Sequence, residues 1–286
     1  MSFELPSLTI VVPVLDRHYN LPMQFDNLKD IACRKIVIDS TVEPYVEDVP
    51  EDWEYVHIGR THYFDMRKHA SELVTTDFIV DCPDDDHLQP DGLVEAVDFL
   101  SGNPDYVACD GVYMVHKNNR HIQWKGQEHS RQVRKSFFSE DPLERAIFHL
   151  SKKVYYSRAH SVVRLPVFDA VATLYRNNKY LPVGQNWPVT PNMDEALTML
   201  YAFHGNMMTL PSFYSDKQVG NNRGRAIRNP EIRKQLKMDD NNAKKVVLKD
   251  QGISAFAHTV SNALGIEHED AIRLVRQAWK SKYKLF

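Results

Sequence analysis

The sequence predicts an α/β fold: a mostly parallel mixed sheet flanked by helices, with a helical C-terminal extension. Three observations point to it. Short β-branched runs alternate with segments of helical period along residues 1–112, the order expected of βαβ crossovers. Those runs are nearly continuous in apolar character, as strands covered on both faces are. Apolar residues make up 43% and charged residues 26% of a 286-residue chain with only 11 Gly and 15 Pro, which excludes disordered and low-complexity architectures and allows a sizeable core.

The elements follow in order. Thr9-Ile10-Val11-Val12-Pro13-Val14-Leu15 reads as a buried strand with Pro13 near its end, and a helix is predicted from Tyr19 to Leu28. Lys35 to Ile38 and Trp53 to Ile58 are the next strands, separated by an acidic loop punctuated with proline. Met66, Ala70, Leu73 and Val74 fall at helical spacing within Phe64 to Val74, and Phe78-Ile79-Val80 is a fourth buried strand. This strand runs directly into Asp81-Cys82-Pro83-Asp84-Asp85-Asp86-His87, and Pro90-Asp91 opens a helix with the proline in its favoured first turn.

Beyond residue 112 the pattern loosens. Strands are predicted at Tyr106–Val115, Val154–Val163 and Met207–Pro211, and helices at Pro142–Leu150, Pro166–Asn177 and Asp194–His204. The expected organisation is a nucleotide-binding half over 1–112, an acceptor-side half of the same domain over 113–218, and a flexible loop with a helical tail over 219–286. In that tail Ala271, Ile272, Val275, Ala278 and Trp279 make an apolar stripe, suited to packing on the main domain or to a membrane-surface contact.

Charge and cysteine narrow the function classes. Lys plus Arg total 35 against 38 Asp plus Glu, a net charge of −3, so no global field draws the chain to nucleic acid. Cys33, Cys82 and Cys109 form no CxxC pair, which argues against a zinc knuckle or a disulfide framework. The opening MSFELPSL has an acid and no basic segment, and no apolar run approaches the roughly 20 residues needed to cross a bilayer. A cytoplasmic protein is expected, with peripheral membrane contact left open.

Three adjacent carboxylates at the end of a buried strand repel one another unless a cation, a basic side chain or water compensates them. Asp84, Asp85 and Asp86 lie where open α/β sheets bind ligands, so a hard divalent ion such as Mn²⁺ or Mg²⁺ is a natural partner; a solvated turn is the plainer alternative. Asp39 ends the second strand on the same edge, where a carboxylate could accept hydrogen bonds from a nucleobase or ribose, or simply form a turn with Ser40 and Thr41. Arg67, on the helix leading into the acidic strand, could pair with a pyrophosphate or with a surface acid. Arg223 and Arg225, in a Gly- and Asn-rich loop, could close over a diphosphate.

In this order the motifs resemble the N-terminal half of family-two-type glycosyltransferases with the glycosyltransferase A fold: Thr9-Ile-Val-Val-Pro-Val-Leu, Lys35-Ile-Val-Ile-Asp-Ser, Arg67-Lys-His-Ala, and Phe78-Ile-Val-Asp-Cys-Pro-Asp-Asp-Asp-His-Leu-Gln-Pro-Asp-Gly-Leu. The resemblance implies Pro13 in the donor site, Asp39 at the base, and Asp84 to Asp86 at the metal and diphosphate. In the second half, Asn192-Met193-Asp194-Glu195 followed by an apolar helix and Gly205 resembles the family's Glu-Asp helix start. That places Asp194 on the position of the catalytic base; Met193 stands where the usual Glu would, and Glu195 is an adjacent rival.

What the resemblance implies is a metal-dependent hexosyl- or pentosyltransferase. It would move a sugar from a nucleotide-diphosphate sugar, a UDP-sugar first, to a hydroxyl of a glycan or lipid-linked acceptor, with inversion. Two rivals remain from the residues themselves: a nucleotidyltransferase acting on sugar phosphates, although Leu15-Asp16-Arg17-His18 is no phosphate-cradling glycine loop, and a non-catalytic nucleotide-sugar-binding module.

Overall fold

The computed structural model describes residues 3–61, 63–117, 131–132, 136–150, 158–177, 193–219, 257, 260–261 and 265–283. The described strands are β1 (Phe3–Val14), β2 (Ile31–Asp39), β3 (Trp53–His57), β4 (Phe78–Asp81), β5 (His87–Leu88), β6 (Tyr106–Lys117), β7 (Arg131–Gln132), β8 (Val162–Arg164) and β9 (Asn206–Val219). They form one sheet in the order β3-β2-β1-β4-β8-β6-β9-β5, with β7 paired to β6 off that path. β3, β2, β1 and β4 are mutually parallel, β8 is antiparallel to both β4 and β6, β9 is parallel to β6, and β5 is antiparallel to β9. The α/β class, with a mixed sheet flanked by helices, is thus what the chain adopts.

The described helices are α1 (Leu21–Asn27), α2 (Tyr63–Leu73), α3 (Pro90–Gly102), α4 (Pro142–Leu150), α5 (Leu165–Asn177), α6 (Met193–His204) and α7 (His268–Tyr283). Their distribution follows from the two-residue period of the strands. Ile10, Val12, Val14 and Val37 point to one face, where Leu21 and Phe25 of α1 and Leu93, Ala96 and Leu100 of α3 cover them. Val11, Ile36 and Ile38 point to the other, against Met66 and Ala70 of α2, Phe168 of α5 and the Leu197–Phe203 stretch of α6. Both faces are therefore dry, which is why the strand sequences carry little polar alternation. The C-terminal stripe packs as well: α7 lies on α4 with Ala271 and Val275 fully buried, while the side chains of Ala278 and Trp279 lie outside the described residues.

Three sequence expectations are corrected. The helix expected over Tyr19–Leu28 is a 3-10 turn at His18–Asn20 followed by α1, with Pro22 in its first turn. The strand expected over Val154–Val163 begins only at Val162. Residues 158–161 form a turn closed by the Ser161 amide on the Arg158 carbonyl (3.2 Å), because the side chains of Arg158 and Ser161 are drawn to Asp110 on β6; residues 154–157 lie outside the described part. The strand expected to stop at Pro211 continues to Val219. Proline is tolerated there because the β6–β9 register breaks between Asp110/Thr209 and Val112/Phe213, so Pro211 has no ladder bond to lose. Gly111 sits opposite this break, and a Cβ there would lie 2.4 Å from the Ser212 carbonyl oxygen.

β6 crosses residue 112 without interruption, so both expected halves contribute to one sheet. Among the described residues no helix is long and apolar enough to cross a membrane.

Candidate functional site

The chain reverses direction across the sheet at β1. β2 and β3 lie on one side of it and β4 on the other, so the carboxyl ends of β1 and β4 flank the kind of crevice in which open α/β sheets bind ligands. Cys82 continues past β4 with its amide on the Val11 carbonyl (2.8 Å), and the Asp86 amide closes a turn on the Pro83 carbonyl (3.0 Å). That turn is held from beneath. Gln24 of α1 is fully buried and donates to the carbonyls of Pro83 (3.0 Å) and Asp86 (2.6 Å). On its far side β5 and Gln89 pair with β9, and Gly92 of α3 packs so closely on β9 that a Cβ would lie 2.4 Å from the Phe213 carbonyl oxygen. The acidic turn is therefore held on three sides, by the backbone of β1, by the Gln24 side chain and by the backbone of β9.

Asp84, Asp85 and Asp86 are all buried. Asp84 and Asp85 converge on one group: the guanidinium of Arg17, from the loop after β1, pairs with Asp84 through Nη2 and donates to Asp85 Oδ2 from Nη1 at 3.0 Å. Asn20 Nδ2 stands 3.4 Å from the other Asp84 oxygen. Burial pushes the Asp84 carboxyl up to about 7; Arg17 pulls it down, and the neighbouring Asp85 charge adds to the rise. The loop that delivers Arg17 turns at Asp16, whose φ of 55° is unusual for a residue other than glycine but tolerated by Asp. Asp16 is pinned there by Thr41 Oγ1, which accepts its amide (3.0 Å), and by Arg60 (2.8 Å).

Among the described residues no group of three His, Cys, Asp or Glu side chains is arranged to hold a metal ion. A catalytic Mg²⁺ or Mn²⁺ does not need such a cage, because it is commonly bound by one or two carboxylates plus substrate phosphates and water. Two buried carboxylates closing on a guanidinium meet that lesser requirement, with the guanidinium as stand-in cation.

Asp39, at the end of β2 on the same edge, is fully buried. Its Oδ1 accepts the Thr41 amide (2.8 Å), and its Oδ2 accepts the Tyr55 hydroxyl (2.5 Å) and stands 2.8 Å from His18 Nε2. Burial alone would raise its pKa, but the hydrogen bonds from Tyr55, Thr41 and His18 outweigh it and the carboxyl is held below its usual range. Tyr55, half-buried and hydrogen-bonded to that carboxylate, is pushed up to about 12 by desolvation and by the bond to Asp39. Its hydroxyl also accepts the Tyr45 amide (2.7 Å), so the loop after β2 is tied through Tyr55 to Asp39. Beside this cluster opens a cleft of about 390 Å³ between His18, Tyr19 and Pro22 on one wall and Pro44, Tyr45 and Glu47 on the other. Asp39 faces it only through the groups it holds.

Pro13 lies next to the end of β1, opposite Ile38 of β2, and so on the same edge. Arg67 is placed differently. Its side chain is 1% exposed, paired with Asp81, bonded to the hydroxyls of Tyr63 (3.2 Å) and Tyr201, and stacked at 4.0 Å on the Phe168 ring. This is a sealed pair beneath the rim, with its charge already matched. Asp194 and Glu195 fall in the first turn of α6, and their side chains lie outside the described residues. Further along that helix Thr198 Oγ1 accepts the Arg158 amide (2.9 Å) and Tyr201 reaches Arg67 under Asp81. α6 ends at His204 and Gly205 alone separates it from β9, so its first turn lies on the carboxyl side of the sheet. Arg223, Arg225, Trp124 and Trp187 lie outside the described residues.

Sequence reasoning missed Arg17, His18 and Gln24. The available signal was positional: Arg17 and His18 follow the first strand, at which the strand order reverses and where a basic group meets whatever the strand on the other side presents.

No protein-family model matches the chain, and no curated protein matches it. Among solved structures it is similar to S. aureus TarS, at 12% identity and a TM-score of 0.47, over 97% of this chain and 53% of that one, so that it spans about half of that chain's length. It is also similar to residues 1–349 of the same protein in complex with UDP-GlcNAc (12% identity, TM-score 0.45) and with UDP (13%, 0.47), each over 96% of this chain and 88% of that one.

Proposed function

We propose that the chain is a nucleotide-sugar-dependent glycosyltransferase acting on a hydroxyl of a glycan or lipid-linked acceptor. The observation that carries this reading is the convergence of Asp84 and Asp85 on one cation at the crevice between β1 and β4. Those two carboxylates would hold Mn²⁺ or Mg²⁺, with Asp86 adjacent, and the ion would supply positive charge to a leaving diphosphate.

The chain's own groups divide the remaining work. Asp39 and the loop it ties down shape the cleft for the base and ribose, and Pro13 borders the same edge. Asp194, with Glu195 as its rival, takes the acceptor hydroxyl's proton as the acceptor oxygen bonds to the anomeric carbon and the bond from that carbon to the diphosphate breaks. The first turn of a helix favours an ionised carboxylate, which keeps such a base ready. Arg223 and Arg225 would close over the diphosphate.

Thermal denaturation with UDP, UDP-GlcNAc and GDP, each with and without Mn²⁺, tests the donor. A ligand at one hundred times its Kd adds about 2.7 kcal/mol to stability, which moves Tm measurably. A Mn²⁺-dependent rise with one nucleotide class, lost in Asp85→Asn, is expected; no shift with any nucleotide sinks the donor reading. Product analysis then separates the chemistry, because free nucleoside diphosphate marks glycosyl transfer and pyrophosphate marks a nucleotidyltransferase.

A further inference from the structure

We infer that Arg17 is a built-in counter-cation that competes with the divalent ion for Asp84 and Asp85, so that the free enzyme holds its metal site closed until the guanidinium swings out. The inference rests on the donor-site reading above and adds a residue to it. Four observations carry it.

Arg17 meets both carboxylates at once, Asp84 through Nη2 and Asp85 through Nη1, and a planar guanidinium is shaped for such two-point contact. Asp84 is fully buried under it, and its Oδ1, which has no hydrogen bond of good geometry, faces the guanidinium charge. The Arg17 side chain is itself 31% exposed, unlike the 1% of Arg67 and of Arg158, so it has a solvent path along which to withdraw. Finally, the carboxylates cannot follow it. Gln24 on one side, and β5 and α3 seated on β9 on the other, fix the acidic turn, whereas Arg17 hangs from a short loop whose anchor is the turn at Asp16.

The consequence is a tax on metal affinity. If the guanidinium occupies the carboxylates about nine-tenths of the time, the apparent Kd for the ion is about tenfold weaker than that of the open site. A nucleotide diphosphate, whose phosphates also ligate the ion, adds the contacts that overcome the tax, so ion and donor arrive together. Such an enzyme would not sequester Mn²⁺ in the absence of donor.

The test counts free Mn²⁺ by electron paramagnetic resonance during titration of the full chain with Mn²⁺ alone. Arg17→Gln is expected to bind Mn²⁺ about tenfold more tightly than the wild type. Arg17→Lys keeps the charge but not the fork, and is expected to fall between the two. Unchanged or weaker binding by Arg17→Gln overturns the inference, as does Arg17→Lys binding no more tightly than wild type, which would mark simple charge repulsion. If Arg17→Gln fails to fold by circular dichroism, Arg17→Lys carries the test with the same two outcomes. UDP added to the same titration distinguishes failure of the competition from failure of the donor site. Wild type that binds UDP with Mn²⁺ while neither variant tightens sinks the competition alone, whereas tightening without any UDP binding sinks the donor reading alone.

Discussion

Two aspartate–arginine contacts begin three residues apart, one beneath the rim at the end of β4 and one in the turn above it, and differ in one respect. Asp81 ends β4 and is paired with Arg67 of α2 at 1% exposure on both sides, enclosed by Tyr63, Tyr201 and Phe168. Asp84 and Asp85 follow in the next turn and are paired with Arg17, whose side chain is 31% exposed. The chemistry is the same and the surroundings are not. In the first case the helices on one face of the sheet close over the ion pair and make it part of the core. In the second the guanidinium arrives from a loop, with solvent behind it. A buried ion pair contributes little net stability because desolvation offsets its attraction, yet losing one partner is severe. The sealed contact is therefore a structural commitment, and the half-open one is a contact that can be exchanged.

Breaking the sealed pair gives the largest expected effect. Arg67→Ala leaves the Asp81 carboxylate buried with the Tyr63 hydroxyl and without a counter-charge, and removes the guanidinium from the Phe168 ring. The expected loss is about 3–5 kcal/mol in unfolding free energy, read by urea denaturation with an unchanged slope. A loss under about 1 kcal/mol would put Arg67 in the same class as a surface pair and erase the contrast with Arg17.

A second variant probes another acid of the same edge, Asp39, which is buried like Asp81 but held by hydrogen bonds from Tyr55, Thr41 and His18 in place of an arginine. Its carboxyl is kept below the usual range, with the donors Tyr55, Thr41 and His18 outweighing burial. A folded-state pKa depressed in this way contributes stability that is present above the unfolded value, near 3.9, and lost as pH falls through the folded value. Asp39→Asn removes one charge-assisted acceptor and is expected to cost roughly 1.5–3 kcal/mol at pH 7. The gap between wild type and variant should narrow as the pH is taken from 5 toward 2. A gap that stays constant over that range would mean that the ionised form is not what Tyr55 and Thr41 stabilise.

How much of this was legible beforehand divides along the same line. The strands of the parallel half were readable because Ile10, Val11 and Val12, or Ile36, Val37 and Ile38, are buried alternately on two dry faces and so carry an unbroken apolar signal. The acidic turn was readable for its density of charge. What compensates it was not, because Arg17 lies 67 positions from Asp84 and only the parallel pairing of β1 with β4 brings them together. From the sequence Arg67 reads as a pyrophosphate partner or a surface pair for the converse reason: nothing local in Arg67-Lys-His-Ala announces that Asp81 and Tyr201 will close over it. Helical period in α2 marks which face is buried, but not that a charge on that face has a partner 14 residues on. The strand end at Pro211 failed on a general rule, since proline breaks a ladder only where a ladder bond exists, and the register slip opposite Gly111 removes it.

The smallest expected effect is on stability in Arg17→Gln, and it is the one that sharpens the contrast most. The Arg17 contact resembles the Arg67 contact in charge and in partner, so an argument from ion-pair geometry alone would assign the two similar weight. Exposure predicts otherwise. A guanidinium about a third exposed keeps much of its hydration and is screened by solvent, so its removal should shift the unfolding free energy by no more than about 1 kcal/mol. The direction is set by two opposing contributions. Losing Arg17 removes the attraction to Asp84 and Asp85, but water can then enter beside the Asp84 carboxyl, which burial had pushed toward protonation. Urea denaturation of Arg17→Gln and Arg67→Ala side by side, in metal-free buffer at one pH, reads the difference directly. A gap of at least about 2 kcal/mol between the two variants is expected from the separate ranges for sealed and solvent-facing pairs. Equal losses would show that Arg17 is built into the fold as firmly as Arg67, and a group so held could not leave the carboxylates to a metal ion.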